Sequence, residues 1–381
     1  MIAKVTTPPL RIELSGTPRE IGLQHGTLLA QQIRGQIRVY DTMFRRTSNL
    51  DWDAVRAVSR EYQTTLQRLT PDLYVEMEGI AEGAGLDVLD IVALNCRSEI
   101  ALGLFSDGCS SLGWKMGVTT EPGEGDDEDT GKVVLAQNWD WTARVKENCV
   151  IMSIEQPGKP KIFICNEAGL VGKIGFNSSS VGVCMNAIRA KPTDSSKIPV
   201  HVALRVCLNS NTASEAIAQL DELGSIASTQ HILLADAEGP ISMELSPRGD
   251  VHIRPKDGDN GIVCHTNHLL ENRYVKEYPW LAGSPIRLGR MRKLSAGVAR
   301  TTPSGTDVTG DVLRNEIFSD TFNAPQAICC QEDPARPIET RSSTLFCIAM
   351  KFGHGLKPTA EVVWGRPGSG EEGPVITLGG E

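Results

Sequence analysis

Residues 105–115 read FSDGCSSLGWK, and the rest of the chain is best read outward from them. On their N-terminal side apolar residues recur at helical spacing. On their C-terminal side they fall into short β-branched runs between turn residues. Gly108-Cys109 stands at the junction of the two regimes. If the chain is cut there, Cys109 carries a thiol and also an α-amine, whose reference pKa of roughly 7.7–8.0 suits a general base near neutrality. One residue then supplies both nucleophile and base. Gly108 has no β-carbon to obstruct attack on its carbonyl, so the Cys109 thiol can attack the preceding peptide, form a thioester and leave water to complete the cut. Asp107 and Ser110 lie close enough in sequence to assist proton movement. On these residues alone the plainer reading also stands, that Cys109 is one small buried thiol among ten cysteines.

The region before Cys109 predicts helices. Thr17-Pro18-Arg19-Glu20 combines a capping threonine, a proline at the first helical position and a glutamate three residues after the cap. Leu29, Ile33, Ile37, Tyr40 and Phe44 continue as one buried stripe. A second helix is predicted over about 51–69, a third from Thr70-Pro71, and a fourth from Asp87 carrying Ile91, Leu94 and Ile100 towards the junction. After Cys109, KVVLAQNWDW, CVIMSIEQ, KIFICNEAG, VGVCMNAI, HILLADA, ISMELSP, DVHIRP, IVCHTNH, TLFCIAM and AEVVWG predict strands, with helices at about 199–222 and 284–298. Strands, then helices, then strands again favour packed β layers covered by helices over an alternating parallel sheet.

Composition bounds the partners. The chain has 381 residues, 40% of them hydrophobic, and a formal net charge of -9, with EPGEGDDEDT at 121–130 forming an acidic loop. It has no basic footprint for nucleic acid or an anionic membrane, so small-molecule substrates are expected. The N-terminus lacks the apolar core of a signal peptide and no window reaches the length of a membrane span. Ten irregularly spaced cysteines read as reduced thiols rather than a disulfide framework, and the expected location is cytoplasmic.

Three further stretches carry chemistry. QNWDW at 137–141 sets Asp140 between two tryptophans, predicting an aromatic wall around a carboxylate; a satisfied aspartate at a strand end is the plain alternative. HTNH at 265–268 offers the Asn267 amide as a donor to a developing oxyanion. The same stretch reads equally as a turn, or as His265 and His268 ligating a metal with Cys264. ETRSSTLF at 339–346 places Arg341 before a buried strand, where a surface salt bridge is the ordinary role.

Taken in order, DGCSS, QNWDW, KEN, EAGLVGKIGFNSSSVGV, NAI, HVALRV, HTNHLL, RSSTLF and GRP resemble the fungal isopenicillin N acyltransferase family, in the N-terminal-nucleophile hydrolase superfamily. The resemblance spans Asp107 to Pro367. It implies an α+β fold, an αββα sandwich with a helical N-terminal segment, made as a precursor that cleaves itself between Gly108 and Cys109. Residues 1–108 would form a helical subunit and 109–381 the catalytic subunit, the two remaining together as a heterodimer. By resemblance, Cys109 is the nucleophile of both cleavage and transfer. Asn267 supports the oxyanion, and Asp140 and Arg341 bind the penicillin nucleus.

The implied reaction exchanges the side chain of isopenicillin N, through 6-aminopenicillanic acid, for an acyl group from acyl-coenzyme A. Amidohydrolysis is a side activity, coenzyme A enters as a co-substrate, and no metal or other cofactor is required. Thr340 stands where the penicillin-making enzymes have serine, and Trp141 where they have phenylalanine, so the pocket is expected to differ in shape. The C-terminal TLGGE lacks a peroxisomal tripeptide. Two alternatives are an N-terminal-nucleophile amidase for another N-acyl substrate, and a non-catalytic metal-binding or interaction module using Cys264, His265, His268 and the Cys329-Cys330 pair.

Overall fold

A computed structural model of the chain describes residues 8–101, 108–116, 131–256, 258–278, 283–302 and 308–380. Asp107, the acidic stretch 121–130 and part of 301–311 lie outside the described residues. The chain opens with β1 (Leu10–Ser15) and runs through α1 (Pro18–Leu28), α2 (Ala30–Thr47), α3 (Trp52–Leu69), α4 (Pro71–Ala84), α5 (Val88–Asn95) and α6 (Arg97–Ala101). Then come β2 (Ser110–Lys115), β3 (Lys132–Trp141), β4 (Cys149–Glu155), β5 (Ile162–Glu167), β6 (Ile174–Asn177), β7 (Gly182–Ala187), β8 (Ala190–Lys191), α7 (Val200–Leu208) and α8 (Ala213–Glu222). The remainder is β9 (Gln230–Asp236), β10 (Gly239–Leu245), β11 (Val251–Ile253), β12 (Ile262–His265), β13 (Lys276–Glu277), α9 (Ser284–Thr301), α10 (Gly310–Leu313), β14 (Ser343–Gly353), β15 (Thr359–Trp364) and β16 (Val375–Gly379).

Two sheets face each other. One has the order β1-β4-β5-β6-β7-β9-β10-β11 and the other β12-β2-β3-β14-β15-β16. The central strands β2 and β3 pack against β7, β9 and β10, while α7 and α8 cover the first sheet and α9 and α10 the second. The fold is therefore an α+β, αββα sandwich, as expected. The apolar core runs unbroken from Ile33, Tyr40 and Phe44 in α2 to Cys109, Trp139 and Phe346 in the second sheet. Among the described residues no helix is long and apolar enough to cross a membrane.

The helix starts follow the sequence signals. Thr17 forms a capping box with Glu20, and Asp51 and Asp87 accept backbone N–H groups of Ala54 and Leu89. The single helix expected from Thr17 through Phe44 differs from expectation, because Leu29 leaves helical geometry (φ -115°, ψ 19°) and divides it into α1 and α2, with Ile33 to Phe44 all on α2. Glycines supply the reason. A Cβ on Gly22 would lie 2.1 Å from the Glu76 carbonyl oxygen, and one on Gly79 would lie 2.6 Å from that of Arg19. Thus α1 packs backbone to backbone on α4, on a course α2 does not share. The N-terminal region is also not all helix: β1 adds in parallel to β4, with Leu14 opposite Ile154. The alternation of Leu10, Ile12 and Leu14 carries that strand in the sequence.

Candidate active site

Cys109 lies at the head of β2, where three other elements meet. Ser110 pairs with Asn138 of β3, and Ser111 with His265 of β12, so the ends of those strands flank the thiol residue. The Cys109 N–H donates to Asn267 Oδ1 at 2.9 Å. Its carbonyl accepts from Arg287 Nη1 at 2.6 Å, and Arg287 Nη2 donates to the same Asn267 Oδ1 at 2.8 Å. Arg287 Nη1 also reaches Ser110 Oγ at 3.1 Å. Both backbone polar groups of Cys109 are therefore fixed by two buried side chains 158 and 178 residues away in sequence.

Asn267 is itself held rigidly. Its N–H donates to Ser284 Oγ (2.7 Å) at the start of α9, and its Nδ2 donates to the Ala187 carbonyl (2.9 Å). An amide nitrogen has two hydrogens, and Ala187 engages one of them. The loop bearing Asn267 is anchored by buried Glu244, which accepts from His265 Nε2 (2.9 Å) and from the backbone N–H groups of Leu270, Glu271 and Asn272. Burial works to raise the Glu244 carboxyl, but these donors outweigh it and hold it below the usual carboxylate range. Two residues beyond Cys109, Ser111 Oγ donates at 2.7 Å to Asn186 Oδ1, which also hydrogen-bonds His231, and His231 stacks on His265 with centroids 3.5 Å apart. Burial, reinforced by His265, keeps His231 neutral.

Asp140 is fully buried, and its Oδ1 accepts from Thr344 Oγ1 at 2.6 Å on the paired strand β14. A Cβ on Gly108 would lie 3.1 Å from Asp140 Oδ2 and 3.7 Å from Arg287 Cζ. The carboxylate thus crowds the residue before Cys109, while the guanidinium stands at ordinary contact distance. The Cys109 Sγ lies 3.9 Å from the Asp140 carbonyl oxygen.

The aromatic wall expected around Asp140 is not there. Neighbouring strand residues point to opposite faces, so Trp139 and Trp141 turn to the other side of the sheet. Lys173 Nζ sits 3.9 Å above the Trp139 ring, and Trp141 Nε1 donates to Tyr40 Oη at 3.0 Å. The metal-ligand alternative also fails on alternation. Cys264 Sγ faces Ser295 Oγ of α9 (3.9 Å), whereas His265 faces Glu244 and His268 Nδ1 faces Ser284 Oγ (2.8 Å). Among the described residues no group of three His, Cys, Asp or Glu side chains could hold a metal ion.

The structure gathers Gly108, Cys109, Asp140 and Asn267. Arg341 stands apart from these contacts: its Nε and Nη2 donate to the carbonyls of Arg336 (2.9 Å) and Pro334 (2.8 Å). The arginine beside Cys109 is Arg287, which the sequence reading missed. One signal marked it, a cation on the buried stripe of α9, four residues before Met291. Thr344 carried no such mark.

A family model described as acyl-coenzyme A:6-aminopenicillanic acid acyl-transferase matches residues 126–367, a span that includes Asp140, Asn267, Arg287 and Arg341 and begins after Cys109. The acyl-coenzyme A:6-aminopenicillanic-acid-acyltransferase 40 kDa form of Emericella nidulans is 33% identical over 375 residues, covering 97% of this chain and 96% of that protein. Among solved structures, penicillin V acylase from Agrobacterium tumefaciens aligns with 71% of this chain and 86% of its own, at 15% identity and a TM-score of 0.35.

Proposed function

The chain belongs to the acyl-coenzyme A:6-aminopenicillanic acid acyl-transferase family, and on that footing we propose that it cuts itself between Gly108 and Cys109 and then transfers acyl groups through a thioester on Cys109. The observation that carries this reading is the two-sided clamp on Cys109 by Asn267 and Arg287.

In the uncut chain the Cys109 thiol attacks the Gly108 carbonyl. The C–N bond breaks, the acyl group moves to sulfur, and the Cys109 nitrogen gains a proton as a free amine. Water hydrolyses the thioester, leaving a Gly108 carboxylate and a Cys109 thiol. The new amine stays beside Asn267 Oδ1 and the Arg287 guanidinium. A fixed positive charge there favours the neutral amine, the form that accepts the thiol proton.

In turnover the thiolate attacks the side-chain amide of isopenicillin N. The amine returns the proton to the departing nitrogen of 6-aminopenicillanic acid, and water clears the aminoadipyl thioester. A second attack, on acyl-coenzyme A, expels coenzyme A as its thiol, and the amine of 6-aminopenicillanic acid takes the acyl group and regenerates Cys109. The second Asn267 N–H faces the oxyanion of each tetrahedral intermediate. Asp140 and Arg341 bind the penicillin nucleus, and Arg341 reaches a substrate carboxylate by releasing the carbonyls of Pro334 and Arg336. Where water replaces the acceptor amine, the result is amidohydrolysis.

Intact mass and N-terminal sequencing test the reading. The wild-type protein should yield two fragments, the larger beginning Cys109-Ser110-Ser111. Cys109→Ala should remain a single chain of 41.3 kDa without transferase activity. Processing that persisted in Cys109→Ala, or a wild-type chain that stayed whole yet active, would sink it.

A further inference from the structure

We propose that a cleft between the edges of the two sheets, bearing Arg254, Lys256 and Arg292, seats the phosphate-bearing nucleotide of the acyl-coenzyme A donor; this rests on the acyl-transfer reading above. β11 and β12 each stand at one edge of their sheet, and α9 runs beside β12. Between them lies a cavity of about 400 Å³, whose lining includes Ser242, Cys264 and Ser295. That volume is in the range of sites for small ligands, roughly 300–1,000 Å³.

Among the described residues that line it, three cations meet two acids, Asp259 and Glu271, whereas the chain as a whole carries -9. Asp259 Oδ2 accepts the Lys256 backbone N–H at 3.0 Å, and Glu271 lies 4.0 Å from the Lys256 ammonium. Neither Arg254 nor Arg292 makes an ion pair among the described residues. Two guanidinium forks at the mouth of a half-polar cleft match phosphate oxygens, which they can bind in bidentate fashion.

Position along α9 then selects the ligand. Arg287 holds the Cys109 carbonyl, and Ser295 lies on the cavity wall two turns further along the same helix, a distance of roughly 12 Å at the helical rise. A substrate that uses both places has its anionic handle far from its reacting carbonyl. The penicillin nucleus does not, because its carboxylate is only a few bonds from its amide. Acyl-coenzyme A does, with its phosphates at one end of a flexible arm and the thioester at the other. Its remote phosphates would supply binding energy that helps place the thioester at Cys109.

The test compares an acyl-coenzyme A donor with the matching acyl-pantetheine, which has the same thioester and no nucleotide. In the Arg254→Glu, Arg292→Glu double variant, KM for the coenzyme A donor should rise roughly tenfold or more, while KM for the pantetheine donor and kcat stay unchanged. Equal effects on both donors, or none, overturn the proposal and leave the acyl-transfer reading intact. Titration calorimetry with adenosine 3′,5′-bisphosphate decides the cleft independently of turnover. Binding to the wild type that is lost in the variant supports it, and failure to bind the wild type overturns it. A wild type that uses neither donor would instead count against the acyl-transfer reading.

Discussion

The last residues of β3 divide two buried, arginine-centred regions that share one strand and differ in purpose. On the face of Trp139 and Trp141, Glu167 accepts from Arg97 Nη2 (2.5 Å), Lys173 Nζ (2.6 Å), Tyr40 Oη (2.5 Å) and Gln36 Nε2 (3.1 Å). Tyr40 in turn accepts from Arg97 Nε and Trp141 Nε1, while His201 accepts from Arg97 and donates to the Gly172 carbonyl. Burial works to raise the Glu167 carboxyl, but Arg97 and Lys173 outweigh it and hold it below its usual range; burial and the same cations keep His201 neutral. Every strong bond in this region joins one part of the scaffold to another. On the face of Asp140, Arg287 grips the backbone of the proposed nucleophile itself. A satisfied network ties elements together, whereas a clamp on one reactive residue fixes where its chemistry can happen.

The largest expected effect falls on the first region. Glu167→Gln leaves Arg97 and Lys173 buried without their carboxylate and should cost about 3–5 kcal/mol of stability. Because Tyr40 and Arg97 precede position 108 and Glu167 and Lys173 follow it, this network also joins the two segments that self-cleavage would create. The midpoint of urea unfolding should fall steeply, and after cleavage the segments should separate more easily in size-exclusion chromatography. A stable variant with full activity would show that the network is not what joins them.

The second region should respond in the opposite currency. Arg287→Lys keeps the charge but loses the fork that spans Cys109, Ser110 and Asn267, so kcat should fall roughly a hundredfold, about 2.7 kcal/mol of transition-state stabilisation. The urea midpoint should change little. If stability and activity fell together, Arg287 would be one more scaffold residue and the contrast between the two faces would dissolve.

How much of this was legible follows the range of the interaction. Caps at Thr17, Asp51 and Asp87 are contacts within a helical turn, and local sequence displays both partners. The two-residue period displays strands as clear as VGVCMNAI, and it also carried Leu10, Ile12 and Leu14 of β1 inside a region read as helical. The same period was overlooked in QNWDW, where adjacency in sequence suggested a shared face that the pleat forbids. Cys109, Asp140 and Asn267 came together because the family resemblance brought distant motifs into one pattern. Arg287 belonged to no such motif, and Arg97 gave no sign that its carboxylate lay 70 residues away. A buried charge is visible in sequence only as a charge, and its partner is chosen by the fold.

The smallest expected effect asks what becomes of a half-buried carboxylate that, among the described residues, has no ion pair like those of Glu167. Glu277 of β13 is half-buried, and its oxygens accept the Leu269 N–H at 3.2 and 3.3 Å. Burial, the largest cause, pushes its carboxyl up to about 7 from an ordinary 4.5, against the lowered carboxyl of Glu167. Between those two values the folded chain holds a proton that the unfolded chain has lost. The contribution of Glu277 to stability is therefore fully present below pH 4.5 and lost as the pH rises through about 7. Glu277→Gln keeps an oxygen for Leu269 and abolishes the titration. Its Tm should match the wild type near pH 4.5 and exceed it by roughly 2 °C at pH 8. A difference that stayed constant across that range would mean that cationic partners are not what separates the two carboxylates, and the account of Glu167 as a charge held in place by Arg97 and Lys173 would lose its control.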